Sequence, residues 1–205
     1  MRSAVLLSGC GHMDGAEIRE AVLALLALDV HGVEVVCCAA DAMQRDVVNH
    51  ITGQEANESR NILHESARIA RGDIKSLTDI SPEDFDMIVL PGGLGVAKNY
   101  SNIMDGEGSV TIANDVQSVL TGFAKKRKPI GAICIAPAIV AASLRSIAKV
   151  KVTLGDSANA GIIARCGGEH IECDTDHYVE DTEWGVFSCS AYMRADARLR
   201  DISSG

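Results

Sequence analysis

Pro129-Ile130-Gly131-Ala132-Ile133-Cys134-Ile135-Ala136-Pro137 is the stretch on which the fold turns. A hydrophobic strand, Pro129 to Ile133, ends at a cysteine, and a helix of small apolar residues from about Ala136 to Leu144 begins at once. On such a turn a strained backbone holds the side chain outward, and the next peptide N–H groups open a helix N-terminus. Helix N-termini favour anions, so the spacing predicts a thiolate at Cys134 with its pKa lowered to roughly 5–7. The same N–H groups suit an oxyanion on a bound carbonyl. This is nucleophile-elbow logic with sulfur in place of oxygen. A buried cysteine acting as a small hydrophobe fits the same spacing.

Outward from the elbow, the chain alternates buried strands with helices. Ser3 to Ser8 and Val33 to Ala39 are continuous apolar runs that flank a helical pattern from Ala16 to Leu28, with Ile18, Ala21, Val22, Leu25 and Leu28 on one face. Strands without polar alternation belong to a parallel sheet covered on both faces. Asp86 to Leu90 is another such strand and runs into Pro91-Gly92-Gly93. Further helices are predicted over Ser59 to Ala70, with Ser59 as N-cap, over Val110 to Phe123 and over Ser157 to Cys166. Lys151 to Leu154, His170 to Cys173 and Gly185 to Cys189 read as strands, with a turn within Val179 to Gly185. Gln44 to Glu58 reads as irregular, and Met193 to Ile202 as the first turns of a helix that stops early. The predicted fold is a doubly wound, mostly parallel α/β sheet flanked by helices, with residues 1–205 forming one domain.

The totals narrow the function. The chain has 205 residues, 47% of them hydrophobic, and a formal net charge of −9. An acidic surface repels phosphate backbones, which argues against nucleic acid. The basic run Lys125, Lys126, Arg127 and Lys128 falls at a helix C-terminus, where cations suit the dipole. No apolar run approaches the roughly 18 to 20 residues that span a bilayer, so no membrane is expected. A first strand at Ser3 leaves little room for a leader, so the cytoplasm is expected, with a mitochondrial chain after loss of a leader as the alternative. The seven cysteines include no C-x-x-C pair, and neighbours Cys37 and Cys38 should face opposite sides of a strand. Free thiols and no metal site are expected.

Other residues suggest a pocket. Gly92 and Gly93 follow a strand that ends on the same sheet edge as Cys134, and a Gly pair lets backbone N–H groups approach an anion. Asp14 and Glu17 lie near a helix start, where acids also compensate the dipole. His50, in Asn49-His50-Ile51-Thr52-Gly53, fits either a pocket or the surface. His12 beside Cys10 offers too few ligands for a metal. Arg60 and Lys98 fit a substrate carboxylate or ordinary surface charge.

Together these segments resemble the class I glutamine amidotransferase-like fold, a flavodoxin-like architecture, and within it the ThiJ/PfpI superfamily. They are most similar to the ElbB glyoxalase family, the isoprenoid-biosynthesis proteins with an amidotransferase-like domain. The segments are Leu7-Ser8-Gly9-Cys10-Gly11 with Asp14-Gly15-Ala16-Glu17-Ile18, Ser59 to Leu63, Glu65 to Ile69, Pro91-Gly92-Gly93 with Lys98-Asn99, and Cys134-Ile135-Ala136-Pro137. The resemblance implies that Cys134 is the elbow cysteine and that Glu17 is the acid facing its sulfur. It also implies oxyanion contacts from Gly92, Gly93 and the N–H of Ile135, and a pocket that His50, Lys98 and Asn99 help to form. Beside a thiolate, Glu17 should stay protonated and shuttle a proton. The pattern departs from a Cys-His-acid triad. Ser190-Ala191-Tyr192-Met193 holds neither the His nor the Glu of an amidotransferase, and Ile135 stands where many hydrolases carry His.

The implied activity is a cofactor-independent glyoxalase that converts glyoxal or methylglyoxal to the hydroxy acid, which would also register as deglycase activity. The alternative is a redox sensor or stress-response binding protein that uses the same thiol without turnover. A glutaminase-like hydrolase lacks its catalytic partners here. The implied partners are a small aldehyde and a second copy, as a homodimer.

Overall fold

The structure is a computed structural model that describes residues 1–106 and 108–205. In chain order its elements are β1 (Arg2–Leu6), α1 (Ile18–Val30), β2 (Glu34–Ala39), β3 (Val48–Asn49), β4 (Gln54–Glu55), α2 (Ile62–Ile69), β5 (Ile74–Ser76), β6 (Met87–Leu90) and α3 (Leu94–Tyr100). There follow α4 (Asn114–Lys125), β7 (Ile130–Ile133), α5 (Ala136–Leu144), β8 (Lys151–Val152), α6 (Ala160–Arg165), β9 (Glu169–His170), β10 (Val179–Asp181), β11 (Val186–Cys189) and α7 (Leu199–Ile202), with short 3-10 turns between. Seven strands form the central sheet in the order β10-β11-β7-β6-β1-β2-β5. All its pairings are parallel except β10 with β11, so the predicted mostly parallel sheet is the one observed.

Alternation along the strands divides the core. Ala4 and Leu6 of β1 join Ile88, Leu90, Ile130 and Ala132 against Val96 and Tyr100 of α3, Leu120 and Phe123 of α4, and Ile139 and Leu144 of α5. Val5 and Leu7 face the other way, onto Ala21, Leu25 and Leu28 of α1. Cys38 lies in the first cluster and Cys37 in the second, on opposite faces as expected. Every residue of α5 is buried, which explains why it is mostly Ala, Ile, Val and Leu, with Pro137 in its first turn and Ser143 as its one polar side chain.

Several boundaries differ from the sequence reading. The first helix begins at Ile18 because the Glu17 carboxylate caps it, accepting from Glu20 N at 2.7 Å. Ile18 and Val22, predicted to be buried, are 46% and 51% exposed, because the helix turns Glu20 and Ala21 to the sheet instead. Asn61, not Ser59, caps α2 and accepts from His64 N. The segment read as irregular holds the β3–β4 hairpin. Edge strand β5 and helix α3 were not predicted. The basic run falls at the end of α4, but its side chains bind elsewhere: Lys128 donates to Pro82 O and Phe85 O, and the Arg127 guanidinium lies 4.1 Å from the Trp184 ring centre. Among the described residues no helix is long and apolar enough to cross a membrane.

Strand order reverses between β1 and β6, since β1 leads outward to β2 on one side and β6 leads to β7 on the other. Ligands of open α/β sheets bind at the carboxyl edge beside such a switch point. The loop from Leu7 to Glu17, the Gly92-Gly93 turn, Cys134 and the Ser190–Met193 turn all leave strands at that edge.

Candidate active site

Cys134 directly follows β7 with φ of 63°, a left-handed conformation that costs a residue with a Cβ. The neighbouring strand supports it, because Cys134 N donates to Cys189 O at 3.0 Å. Strain of this kind collects at functional sites. The N–H groups of Gly93 and Ile135 lie on the side of the sulfur and favour its charged form. Gly93 adopts φ of 96° as the cap of α3, a backbone that favours glycine. A Cβ there would collide with Glu17 N and Gly15 O.

The carboxyl group at the sulfur belongs to Glu20, not Glu17. Glu20 is 1% exposed and its carboxyl lies beside the Cys134 thiol, each acting on the other's ionisation. Its Oε2 accepts from Gly92 N at 3.0 Å, and its Oε1 faces Tyr192 N at 3.5 Å. Glu17 remains at the cleft wall, but its Oε2 is held by the first-turn amide of the helix. The two acids are one helical turn apart, and the helix start decides which of them points at the elbow. Gly92 also differs from expectation. Its N–H serves Glu20, so it is not free for an oxyanion, and a Cβ on it would strike Cys134 Cβ and lie 2.7 Å from Glu20 Oε2.

The electrostatics overturn the expected low thiol pKa. Burial pushes the Cys134 thiol well up, and the Glu20 charge pushes the same way, while the N–H groups of Gly93 and Ile135 only partly oppose them. Burial also raises Glu20, to about 7, with Glu17 adding repulsion and Cys134, Tyr192 and Gly92 opposing through hydrogen bonds. Two adjacent anions are therefore disfavoured in this pocket, and thiol and carboxyl titrate as a coupled pair.

The cleft over the sulfur measures about 710 Å³ and is lined by His12, Arg19, Leu94 and Tyr192 among others. His50, Lys98 and Asn99 do not line it. They lock the loop that forms its wall. His50 Nδ1 donates to Val48 O at 2.9 Å, its Nε2 accepts from Met13 N at 3.3 Å, and its ring packs edge-on against His12. Lys98 Nζ donates to Met13 O and to Asp46. Asn99 Nδ2 donates to Ser8 O and Asp14 O. Asp14 is buried, accepting from Val48 N, and Ser66 accepts from Gly9 N, so the first-loop and second-helix motifs are structurally joined. Arg60 is paired with Glu58 and Glu65. Among the described residues no three His, Cys, Asp or Glu side chains are grouped to hold a metal ion.

Glu20, Arg19, His12 and Tyr192 are the residues the sequence reading missed. Tyr192 occupies the turn where an amidotransferase would place its His. Ala191, with φ of 40°, aims the Tyr192 amide at Glu20, and the Tyr192 hydroxyl accepts from Arg19 at 3.0 Å.

Comparison with known proteins places this geometry. A crystal structure of an isoprenoid biosynthesis protein with an amidotransferase-like domain from Ehrlichia chaffeensis superposes with a TM-score of 0.95 at 49% identity, over 100% of this chain and 93% of that one. The human glutamine amidotransferase-like class 1 domain-containing protein 3, mitochondrial, is 44% identical over 162 residues, and the mitochondrial ES1 protein homolog of Rattus norvegicus is 43% identical over the same length. Each alignment takes in 78% of this chain and 59% of the relative, so the chain spans about three fifths of these proteins. Residues 12–183, from the first loop past the elbow to the hairpin of the last strands, match the DJ-1/PfpI family, and to that family this chain belongs.

Proposed function

We propose that the protein is a cofactor-independent glyoxalase acting through Cys134 and Glu20. The observation that carries this reading is a buried carboxyl group, its pKa raised to about 7, set beside an elbow thiol. A base near the working pH both takes and returns protons. Glu20 removes the thiol proton as sulfur attacks the aldehyde carbon of a 2-oxoaldehyde. The N–H groups of Gly93 and Ile135 hold the oxyanion, which takes up a proton to give the hemithioacetal. Glu20 then moves the proton from the former aldehyde carbon to its neighbour through an enediol, leaving a 2-hydroxy thioester. Water hydrolyses the thioester, releases the 2-hydroxy acid and restores the thiol.

The raised thiol pKa works against the redox-sensor alternative, since such sensors use exposed thiols of low pKa. We read residues 1–205 as one domain that pairs as a homodimer through the exposed α1 stripe of Ile18, Val22, Leu26 and Val30. The names of the human and rat relatives support the mitochondrial alternative over the cytoplasm.

The test is product release from purified protein with methylglyoxal or glyoxal. Wild type should form lactate or glycolate in many-fold excess over enzyme, and Cys134→Ser should form none. A single equivalent consumed, with no acid released, would contradict the reading.

A further inference from the structure

We infer that Arg19 is a specificity residue that selects 2-oxoaldehydes carrying a carboxylate at the far end. This rests on the glyoxalase reading for the reaction itself. The observation is an arginine in the cleft with no carboxylate partner. Arg19 lines the same wall as Cys134, and its Nη1 donates to the Tyr192 hydroxyl at 3.0 Å. Of the other arginines, Arg2, Arg45, Arg60, Arg68, Arg194, Arg198 and Arg200 pair with acids, and Arg71, Arg127, Arg145 and Arg165, which like Arg19 make no salt bridge among the described residues, do not line the cleft. Among the described residues Arg19 makes no salt bridge, and Tyr192 is its one side-chain hydrogen-bond partner.

The setting favours an incoming anion. The Tyr192 contact fixes one arm of the guanidinium and leaves the rest of its donor fork, which suits a bidentate carboxylate. Glu17, the carboxylate that also lines the cleft, has Oε2 engaged by Glu20 N. Both ends of the arrangement are braced. Arg19 immediately precedes Glu20 on α1, and the turn that supplies the Tyr192 hydroxyl also brings its amide to Glu20. Arg19 itself is exposed at the cleft, where an incoming anion can reach it. The cleft of about 710 Å³, which both Cys134 and Arg19 line, exceeds the needs of a three-carbon aldehyde.

Two measurements test this on the full chain, with wild type, Arg19→Met and Arg19→Lys. The first compares kcat/KM for 4,5-dioxopentanoate, which yields 2-hydroxyglutarate on addition of water, with that for its uncharged analogue 2-oxopentanal. The ratio of charged to uncharged substrate should fall about tenfold in Arg19→Met, mainly through KM, and partly recover in Arg19→Lys. The second is independent of turnover. Alkylation of Cys134 by iodoacetate and by iodoacetamide is followed on its own peptide by mass spectrometry and normalised to glutathione. The iodoacetate-to-iodoacetamide ratio should drop in Arg19→Met and with added salt. An unchanged alkylation ratio overturns the anion site, as does an unchanged kcat/KM ratio. If neither 2-oxoaldehyde is turned over, the glyoxalase reading fails, and the alkylation ratio alone still decides whether Arg19 receives an anion.

Discussion

At the scale of single residues, the pair Cys134 and Glu20 makes folding and chemistry depend on the same proton. The sign follows from the direction of the Glu20 shift. Below its ordinary value of 4.5 the carboxyl is neutral whether the chain is folded or unfolded, and the stability is fully present. As pH rises from there through about 7, the unfolded chain ionises Glu20 more readily than the folded one, and stability is lost. For so buried a group the loss is on the order of 3 kcal/mol. Glu20→Gln, which cannot ionise, should therefore be less sensitive to alkali than wild type, and its advantage in thermal melting should grow as pH rises across that window. A constant difference between the two proteins at every pH would contradict the assignment. Glu17 acts on the same group from a distance. Glu17→Gln removes its repulsion, so the acid limb of the kcat/KM pH profile should move to lower pH.

At the scale of elements, the Gly92-Gly93 turn and the elbow are built around each other. Gly92→Ala forces a Cβ onto Cys134 and Glu20 and should cost about 1–3 kcal/mol in denaturant unfolding while abolishing turnover. A fully active, equally stable variant would remove the close-approach argument. The elements that the sequence revealed are those with the most continuous apolar runs. The strand before Cys134 and the strand before Pro91 alternate fully and partly buried residues with none exposed, and α5 is buried throughout. Strand β5, Ile74-Lys75-Ser76, escaped because only its register with Cys37, Cys38 and Ala39 of β2 makes it a strand. The acid was misread for a similar local reason. The family resemblance points to Glu17, and because glutamate is an uncommon N-cap nothing in the sequence flags it as the cap of α1, a role that leaves Glu20 as the acid turned toward the sulfur. The thiol pKa was misread because the elbow argument weighs N–H groups and omits burial, and burial is the larger effect here.

At the scale of the whole molecule, the sheet brings loops from β1, β6, β7 and β11 to one edge, and only their meeting makes a site. Tyr192 and Arg19 are far apart in sequence, and no spacing could have announced their contact. The exposed α1 stripe is the molecule's other unsatisfied surface. Val22→Asp with Leu26→Asp should shift a dimer to monomer in light scattering at micromolar concentration; wild type that is already monomeric would refute the pairing. The central claim is that Glu20, and not Glu17, carries the proton for Cys134. It is tested most directly by steady-state turnover of methylglyoxal in Glu20→Gln and Glu17→Gln beside wild type, with Cys134 alkylation confirming an intact thiol in each. Glu20→Gln should lose about 100-fold or more in kcat, the scale of a missing general acid–base, and Glu17→Gln far less. Near-wild-type kcat in Glu20→Gln, with the large loss in Glu17→Gln, would contradict the account.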